Sequence, residues 1–219
     1  MNIVFLCSGG GGNLRFIHAV GRRTNPVELK ITGVFGDRPG PALEFADRHG
    51  IPWGSARFDG SDDDEICASI EKCAPDVIVT NIHRILSPRI VATYRGRLLN
   101  LHYSLLPLFG GLMGMEPVRR AVDSGCCFVG TTVHHVIEAV DAGPIVSQTI
   151  VPVVSGESFD TLADRVFRSG CMNLLNGIRL LDGSDPDSTS RMADSPPIPS
   201  ATPTGNFEPD EDFWTGVRG

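Results

Sequence analysis

The chain carries no block of lysine or arginine in its 219 residues, and its formal charge is −7, which excludes a nucleic-acid backbone as its main partner. The N-terminus, MNIVFLCSGGGG, lacks the basic start and apolar middle of an export signal. No apolar run approaches the length needed to cross a bilayer, so no membrane partner is expected. The six cysteines show neither CxxC spacing nor a disulfide-dense layout, and no cluster of residue types suggests a metal site. Reduced thiols in a cytoplasmic protein are expected. There is no internal repeat. Hydrophobic residues at 41% against 21% charged are enough for one domain with a sizeable core. We place that domain at residues 1–183. Residues 184–219 turn to Ser, Pro, Asp and Gly and form a tail expected to be extended or partly ordered, with Phe207, Phe213 and Trp214 available to dock it.

What is present is organised around residues 96–107, GRLLNLHYSLLP. The stretch reads as a short apolar strand, and side chains at i and i+2 share one face of a strand. The amide of Asn100 therefore stands beside the imidazole of His102 where the strand ends. A second stretch, residues 130–144 (GTTVHHVIEAVDAGP), supplies His134 and, on a glycine-bounded loop, Asp141. Amide, imidazole and carboxylate suit acyl transfer to an amine, which needs donors for a developing oxyanion and an acceptor for the amine's proton. Each piece also has a plain structural reading. Asn-x-His can close a strand without chemistry, and Asp-Ala-Gly is ordinary turn chemistry. His135 faces away from His134, and His18, His49 and His83 read as surface or core residues.

Along the chain, residues 2–7 (NIVFLC) form a nearly continuous apolar run, as in a strand buried on both faces of a parallel sheet. The run stops at Ser8 and four glycines, followed by Asn13 and a helix with Leu14, Ile17 and His18 on one face. Strand, glycine loop and helix aim backbone N–H groups and a helix dipole at an anion. The loop also opens like a dinucleotide fingerprint, with Gly9-x-Gly11 and Asp37 at the end of the next strand, but Leu14 occupies the third glycine position. A tight turn without a ligand is the third reading. Strands are expected at 28–35, weakly at 51–58, and at 76–80, with helices at 41–49, from a Ser61 cap onward, and from Ser87-Pro88. A loop rich in Gly and Met leads from Pro107 to a helix at 117–123. Residues 128–137 and 144–153 read as an antiparallel hairpin, and residues 158–181 as a long helix capped by Ser158. The alternation specifies an α/β fold, a Rossmann-like, doubly wound, mostly parallel sheet with an antiparallel edge hairpin. In such sheets ligands sit beyond the carboxyl ends of the strands, where the glycine loop and Asn100/His102 both fall.

Four stretches resemble the folate-dependent formyltransferases, most closely their glycinamide ribonucleotide branch. They are Ser8-Gly9 to Asn13-Leu14, His83-Arg84-Ile85-Leu86-Ser87-Pro88, Leu99-Asn100-Leu101-His102-Tyr103-Ser104-Leu105-Leu106-Pro107, and Gly130-Thr131-Thr132-Val133-His134 through Asp141-Ala142-Gly143-Pro144. The resemblance covers residues 1 to about 181. It implies the formyltransferase fold and 10-formyltetrahydrofolate as the formyl donor. By the same resemblance the catalytic trio is Asn100, His102 and Asp141, with His134 in support. The folate ring would lie on the backbone of Arg84, Ile85 and Leu86 and under Ile137, Glu138, Ala139 and Val140. The phosphate of a small amine acceptor would lie at Gly11, Gly12 and Asn13.

Two departures touch the acceptor side. The loop at Gly111-Leu112-Met113-Gly114-Met115-Glu116 is about three residues longer than the family's short loop, and a glutamate of the family's late helix falls near Gly170. The resemblance thus implies an N-formyltransferase acting on a glycinamide ribonucleotide-like amine. An amino-sugar nucleotide, a hydroxylated amino acid or an antibiotic intermediate is the alternative acceptor. Formyltetrahydrofolate hydrolysis is the alternative reaction, since hydrolases of this kind share the same Asn, His and Asp. A monomer or homodimer is expected.

Overall fold

The computed structural model describes residues 1–23, 29–182 and 209–218. In chain order the elements are β1 (Asn2–Cys7), α1 (Gly12–Arg23), β2 (Lys30–Gly36), α2 (Pro41–Arg48), β3 (Trp53–Ser55), α3 (Asp63–Glu71) and β4 (Val77–Asn81). They continue with α4 (Pro88–Thr93), β5 (Leu98–His102), α5 (Glu116–Asp123), β6 (Phe128–His135), β7 (Ile145–Pro152), α6 (Phe159–Asp182) and α7 (Glu211–Arg218). The strands make one seven-stranded sheet in the order β3-β2-β1-β4-β5-β6-β7. The pairs β1–β2, β1–β4, β2–β3 and β4–β5 are parallel, and β6–β7 is antiparallel. The doubly wound sheet with an antiparallel edge hairpin is therefore what the sequence specifies.

Two compact units divide the described residues. The first holds Met1–Asn100, Val136–Glu138 and α7. β1 lies in its middle, paired on both sides, and Ile3 to Leu6 are fully buried. A strand covered on both faces has no use for alternation, which is why the NIVFLC run is apolar throughout. One layer of core gathers Leu6, Phe58, Ile70, Ile78, Ile90, Tyr94 and Leu98. The carboxyl ends of β1, β2 and β4 are in register at Cys7, Gly36 and Asn81, so the loops that follow leave from a common edge.

The second unit holds Leu101–His135 and the chain from Ala139 through α6. Its hairpin β6–β7 packs on α6. Val118, Ala121, Val129, Val151, Leu162 and Val166 form its core cluster. Polar stitching completes the packing. Buried Asn173 of α6 donates to the Thr131 carbonyl at 3.2 Å and to its hydroxyl at 3.1 Å, satisfying groups whose burial unpaired would cost about 1–3 kcal/mol each.

Several element boundaries differ from the sequence reading. The 51–58 strand shortens to Trp53–Ser55, because Pro52 and the left-handed Phe58 (φ 59°) cut the extended run at both ends. Helix α3 takes Asp62 as its N-cap residue, while Ser61 turns back onto Asp59 at 2.6 Å. β2 runs from Lys30 to Gly36, and the Glu28 start lies outside the described residues. The Ser158 cap of α6 is present, its hydroxyl accepting from the Thr161 amide at 3.2 Å.

Gly183 and Phe207 lie outside the described residues, but α7 near the C-terminus is helical and seated on α1. Phe213, Trp214 and Val217 are buried. The Trp214 ring stacks on Phe16 at 5.4 Å, and the Phe213 ring meets Phe16 edge-on at 5.6 Å. Trp214→Ala is expected to lower unfolding stability by about 3–5 kcal/mol, the usual range for a buried large aromatic. Urea denaturation measures it. A loss under about 1 kcal/mol would show that α7 contributes no buried packing.

Candidate active site

β5 carries Asn100 and His102 to the carboxyl end of its strand, as their spacing requires. The Asn100 amide nitrogen donates to the Thr80 carbonyl at 2.6 Å and to the Thr80 hydroxyl at 3.2 Å. The short bond fixes which amide atom faces Thr80, since a carbonyl can only accept. The longer one leaves the second hydrogen weakly held.

His102 is 7% exposed and meets oxygen on both sides. Nε2 stands 3.0 Å from the Leu112 carbonyl and 3.2 Å from Asp141 Oδ2, and Nδ1 lies 2.9 Å from Ser104 Oγ. Both neighbours of Nε2 are acceptors, so the neutral ring carries its hydrogen there. Burial, outweighing the attraction of Asp141, lowers the His102 pKa below the usual 6.5. A pKa below 6.5 leaves the ring neutral at pH 7. Ser104 accommodates either state. Its hydroxyl can donate to Nδ1 of the neutral ring, or accept from a charged one while donating to the Leu108 carbonyl at 2.6 Å.

Asp141 has a left-handed backbone, φ 52°, which Asp and Asn adopt more readily than other side-chain-bearing residues. Its Oδ2 accepts from the Gly111 amide at 2.7 Å, and its Oδ1 lies 3.7 Å from His134 Nε2. Burial pushes its pKa up, but His134, the Gly111 amide and His102 together outweigh that and hold it below the usual 3.8. His134 is buried, and its Nδ1 donates to the His135 carbonyl at 2.9 Å, leaving Nε2 directed at the carboxylate and too far for a hydrogen bond. The structure thus brings His102, Asp141 and His134 together. It adds three groups that sequence reading missed: the Ser104 hydroxyl, the Gly111 amide and the Leu112 carbonyl. Ser104 had a signal, two residues after His102. The other two are backbone atoms of a loop whose shape rests on left-handed Gly111 (φ 79°) and Gly114 (φ 58°).

The remaining residues lie where the strands end. Gly9 and Gly10 are exposed, with open space where a Cβ would stand, and α1 begins at Gly12 with no acidic residue in its first turn. Only Gly11 of these needs its missing side chain, at φ 70° with Ala42 pressed against it. Arg84 and Ile85 are exposed after β4, and Leu86 is buried. Ile137, Glu138, Ala139 and Val140 are exposed between β6 and β7. Among the described residues no group of His, Cys, Asp or Glu is arranged to hold a metal ion.

The formyl transferase family matches residues 1–176. This chain belongs to that family. It is 40% identical over 173 residues to phosphoribosylglycinamide formyltransferase of Escherichia coli, covering 76% of this chain and 80% of that one. The solved phosphoribosylglycinamide formyltransferase of Brucella melitensis superposes with a TM-score of 0.70 at 34% identity, over 84% of this chain and 95% of that one. A formyltetrahydrofolate deformylase from Pseudomonas syringae shares the fold at 24% identity, with a TM-score of 0.73 over 83% of this chain and 61% of that one. The chain is a folate-dependent formyltransferase, a one-carbon transferase with 10-formyltetrahydrofolate as donor. Ile85 is 73% exposed, and the amides of Ile85 and Leu86 have no partner among the described residues. Among the described residues no helix is long and apolar enough to cross a membrane.

Proposed function

We propose that the protein transfers a formyl group from 10-formyltetrahydrofolate to the primary amine of a small, phosphate-bearing acceptor of the glycinamide ribonucleotide kind. The observation that carries this reading is the buried pair of His102 and Asp141, 3.2 Å apart, with a neutral ring beside an ionised carboxylate. The donor, when bound, supplies the formyl carbon that the amine attacks. Charge then grows on the formyl oxygen. In this reading the weakly held second hydrogen of Asn100, and the Nε2–H of His102 once it turns from the Leu112 carbonyl and Asp141, donate to it, each worth about 3 kcal/mol. Asp141, held ionised, takes the proton that the amine must shed and passes it to the folate nitrogen as the bond from that nitrogen to the formyl carbon breaks, so tetrahydrofolate leaves. His134 Nε2 faces the opposite carboxylate oxygen at 3.7 Å and helps hold Asp141 ionised. Arg84, Ile85 and Leu86, with Ile137, Glu138, Ala139 and Val140, hold the folate. Gly11, Gly12 and Asn13 hold the acceptor's phosphate at the N-terminus of α1.

An acceptor altered from glycinamide ribonucleotide is supported by Gly170. A Cβ there would stand 2.9 Å from the Tyr103 ring, so Tyr103 fills the volume that a longer side chain would need. Loss of the formyl group from 10-formyltetrahydrofolate, followed with a panel of phosphorylated amines, tests the proposal. Turnover only with an amine present, and an acceptor heavier by one formyl group, is the expected result. Formate release without any amine would replace transfer with hydrolysis.

The acid limb of the rate profile should lie below pH 6.5. The reactive state has His102 neutral and Asp141 ionised, and both pKa values are depressed. That state is intact at pH 7 and is lost as pH falls through the lowered His102 value. The same groups bind more protons in the unfolded chain between their ordinary and lowered pKa values, so folding stability also falls with pH below 6.5. A kcat/KM profile with its acid midpoint above pH 6.5 would contradict the assignment.

A further inference from the structure

Asp37 was singled out in the sequence as a candidate partner for a ribose, and the proposed function leaves it without a task. Its side chain is 1% exposed. Its oxygens meet Arg38 at 3.1 and 3.2 Å and Arg84 at 3.4 Å; although burial raises its pKa, these, with the nearby Ser8 hydroxyl, hold it below the usual 3.8. Those partners occupy the carboxylate that a dinucleotide ribose would require. Both Ser8 and Arg84 lead to one place. Ser8 Oγ accepts the His83 amide at 2.7 Å, so the two residues that open the segment after β4 are both held, His83 by Ser8 through its backbone and Arg84 by Asp37 through its side chain.

That segment, residues 83–86, belongs to no helix or strand, and the amides of Ile85 and Leu86 have no partner among the described residues. It cannot hold its shape by its own hydrogen bonds. Its far end is fixed where Ser87 caps α4, accepting from the Ile90 amide at 3.2 Å and donating to Asp63 at 2.5 Å. Among the described residues its near end is held by Ser8 and Asp37. An acid buried this deeply is tolerated when its oxygens are bonded, and here the bonds converge on the segment that faces the donor.

We propose that Asp37 and Ser8 are positioning residues for the formyl donor, clamping His83 and Arg84 so that the backbone of residues 84–86 presents a fixed edge to the folate ring. The inference rests on the folate role given to residues 84–86 above. Because the contact acts on the backbone of residues 84–86 and not on the reacting groups His102 and Asp141, its loss should weaken donor binding and leave the transfer step intact.

Calorimetric titration with 10-formyltetrahydrofolate is the test, run on the wild-type protein and on Asp37→Asn, Arg84→Met, Ser8→Ala and the Asp37→Asn/Arg84→Met double variant. Asp37→Asn should raise the donor Kd about tenfold, and Arg84→Met or Ser8→Ala about threefold. The double variant should bind no more weakly than Asp37→Asn alone, because both changes remove one contact. At saturating donor, kcat of Asp37→Asn and of Ser8→Ala should stay within about twofold of wild type, a split that general damage to the fold would not give. Donor Kd values within about twofold of wild type in all three single variants would overturn the inference, as would fully multiplicative losses in the double variant. Should Asp37→Asn fail to fold, Arg84→Met decides the matter from the half-exposed end of the same contact. Absence of donor binding by the wild-type protein would instead refute the folate site itself.

Discussion

Asp141→Asn is expected to lower kcat by about 10²–10⁴-fold with little change in donor affinity, the range for losing a positioned general base. The substitution is chosen to separate chemistry from structure. Asparagine tolerates the left-handed backbone at φ 52°, and its amide oxygen can still accept from the Gly111 amide, so the loop stays in place. What disappears is the charge and the capacity to take a proton. Removing the carboxylate also removes the attraction that raises the His102 pKa, leaving burial to lower it further. The residual activity of Asp141→Asn should therefore show an acid limb moved to lower pH. Single-turnover rates at saturating donor and acceptor measure the first effect. A drop of less than about tenfold would remove Asp141 from proton transfer.

Asn100→Ala should lower kcat by about 10²–10³-fold, or roughly 3–4 kcal/mol, the effect of deleting one donor to a developing oxyanion. The side chain is pre-aimed by Thr80 at 2.6 Å, so no orientation entropy is lost during the reaction. Thr80→Val removes the 3.2 Å hydroxyl contact and leaves the carbonyl contact. Its effect should be well under tenfold, which separates the donor itself from the group that steers it. If Asn100→Ala lost affinity for substrate with kcat unchanged, the amide would be a binding group and not a stabiliser of the transition state.

The elements that could be read from the sequence were those whose physics is local. β1 announces itself because a strand buried on both faces is apolar at every position, and the β6–β7 hairpin because β-branched residues flank a tight loop. The side-by-side placement of Asn100 and His102 follows from the two-residue period of a strand. The state of His102 did not follow. It depends on burial, and on the Leu112 carbonyl and the Gly111 amide, backbone atoms that no residue type reports. Asp37 looked like a cofactor residue because it ends β2, yet its surroundings are set by Arg84, 47 positions away along the chain. The seat of α7 on Phe16 was half legible: Phe213 and Trp214 stand out as docking residues, but the low apolar content of residues 184–219 gave no sign of a helix.

The protonation of His102 is the property on which the proposed chemistry turns, and nitrogen-15 chemical shifts of its ring, followed between pH 4 and pH 8, report it directly. The expected result is a neutral ring at pH 7 with hydrogen on Nε2, titrating below 6.5, and a midpoint that falls further in Asp141→Asn. A ring already charged at pH 7, or one whose midpoint ignores Asp141, would contradict the pairing of a neutral imidazole with an ionised acid.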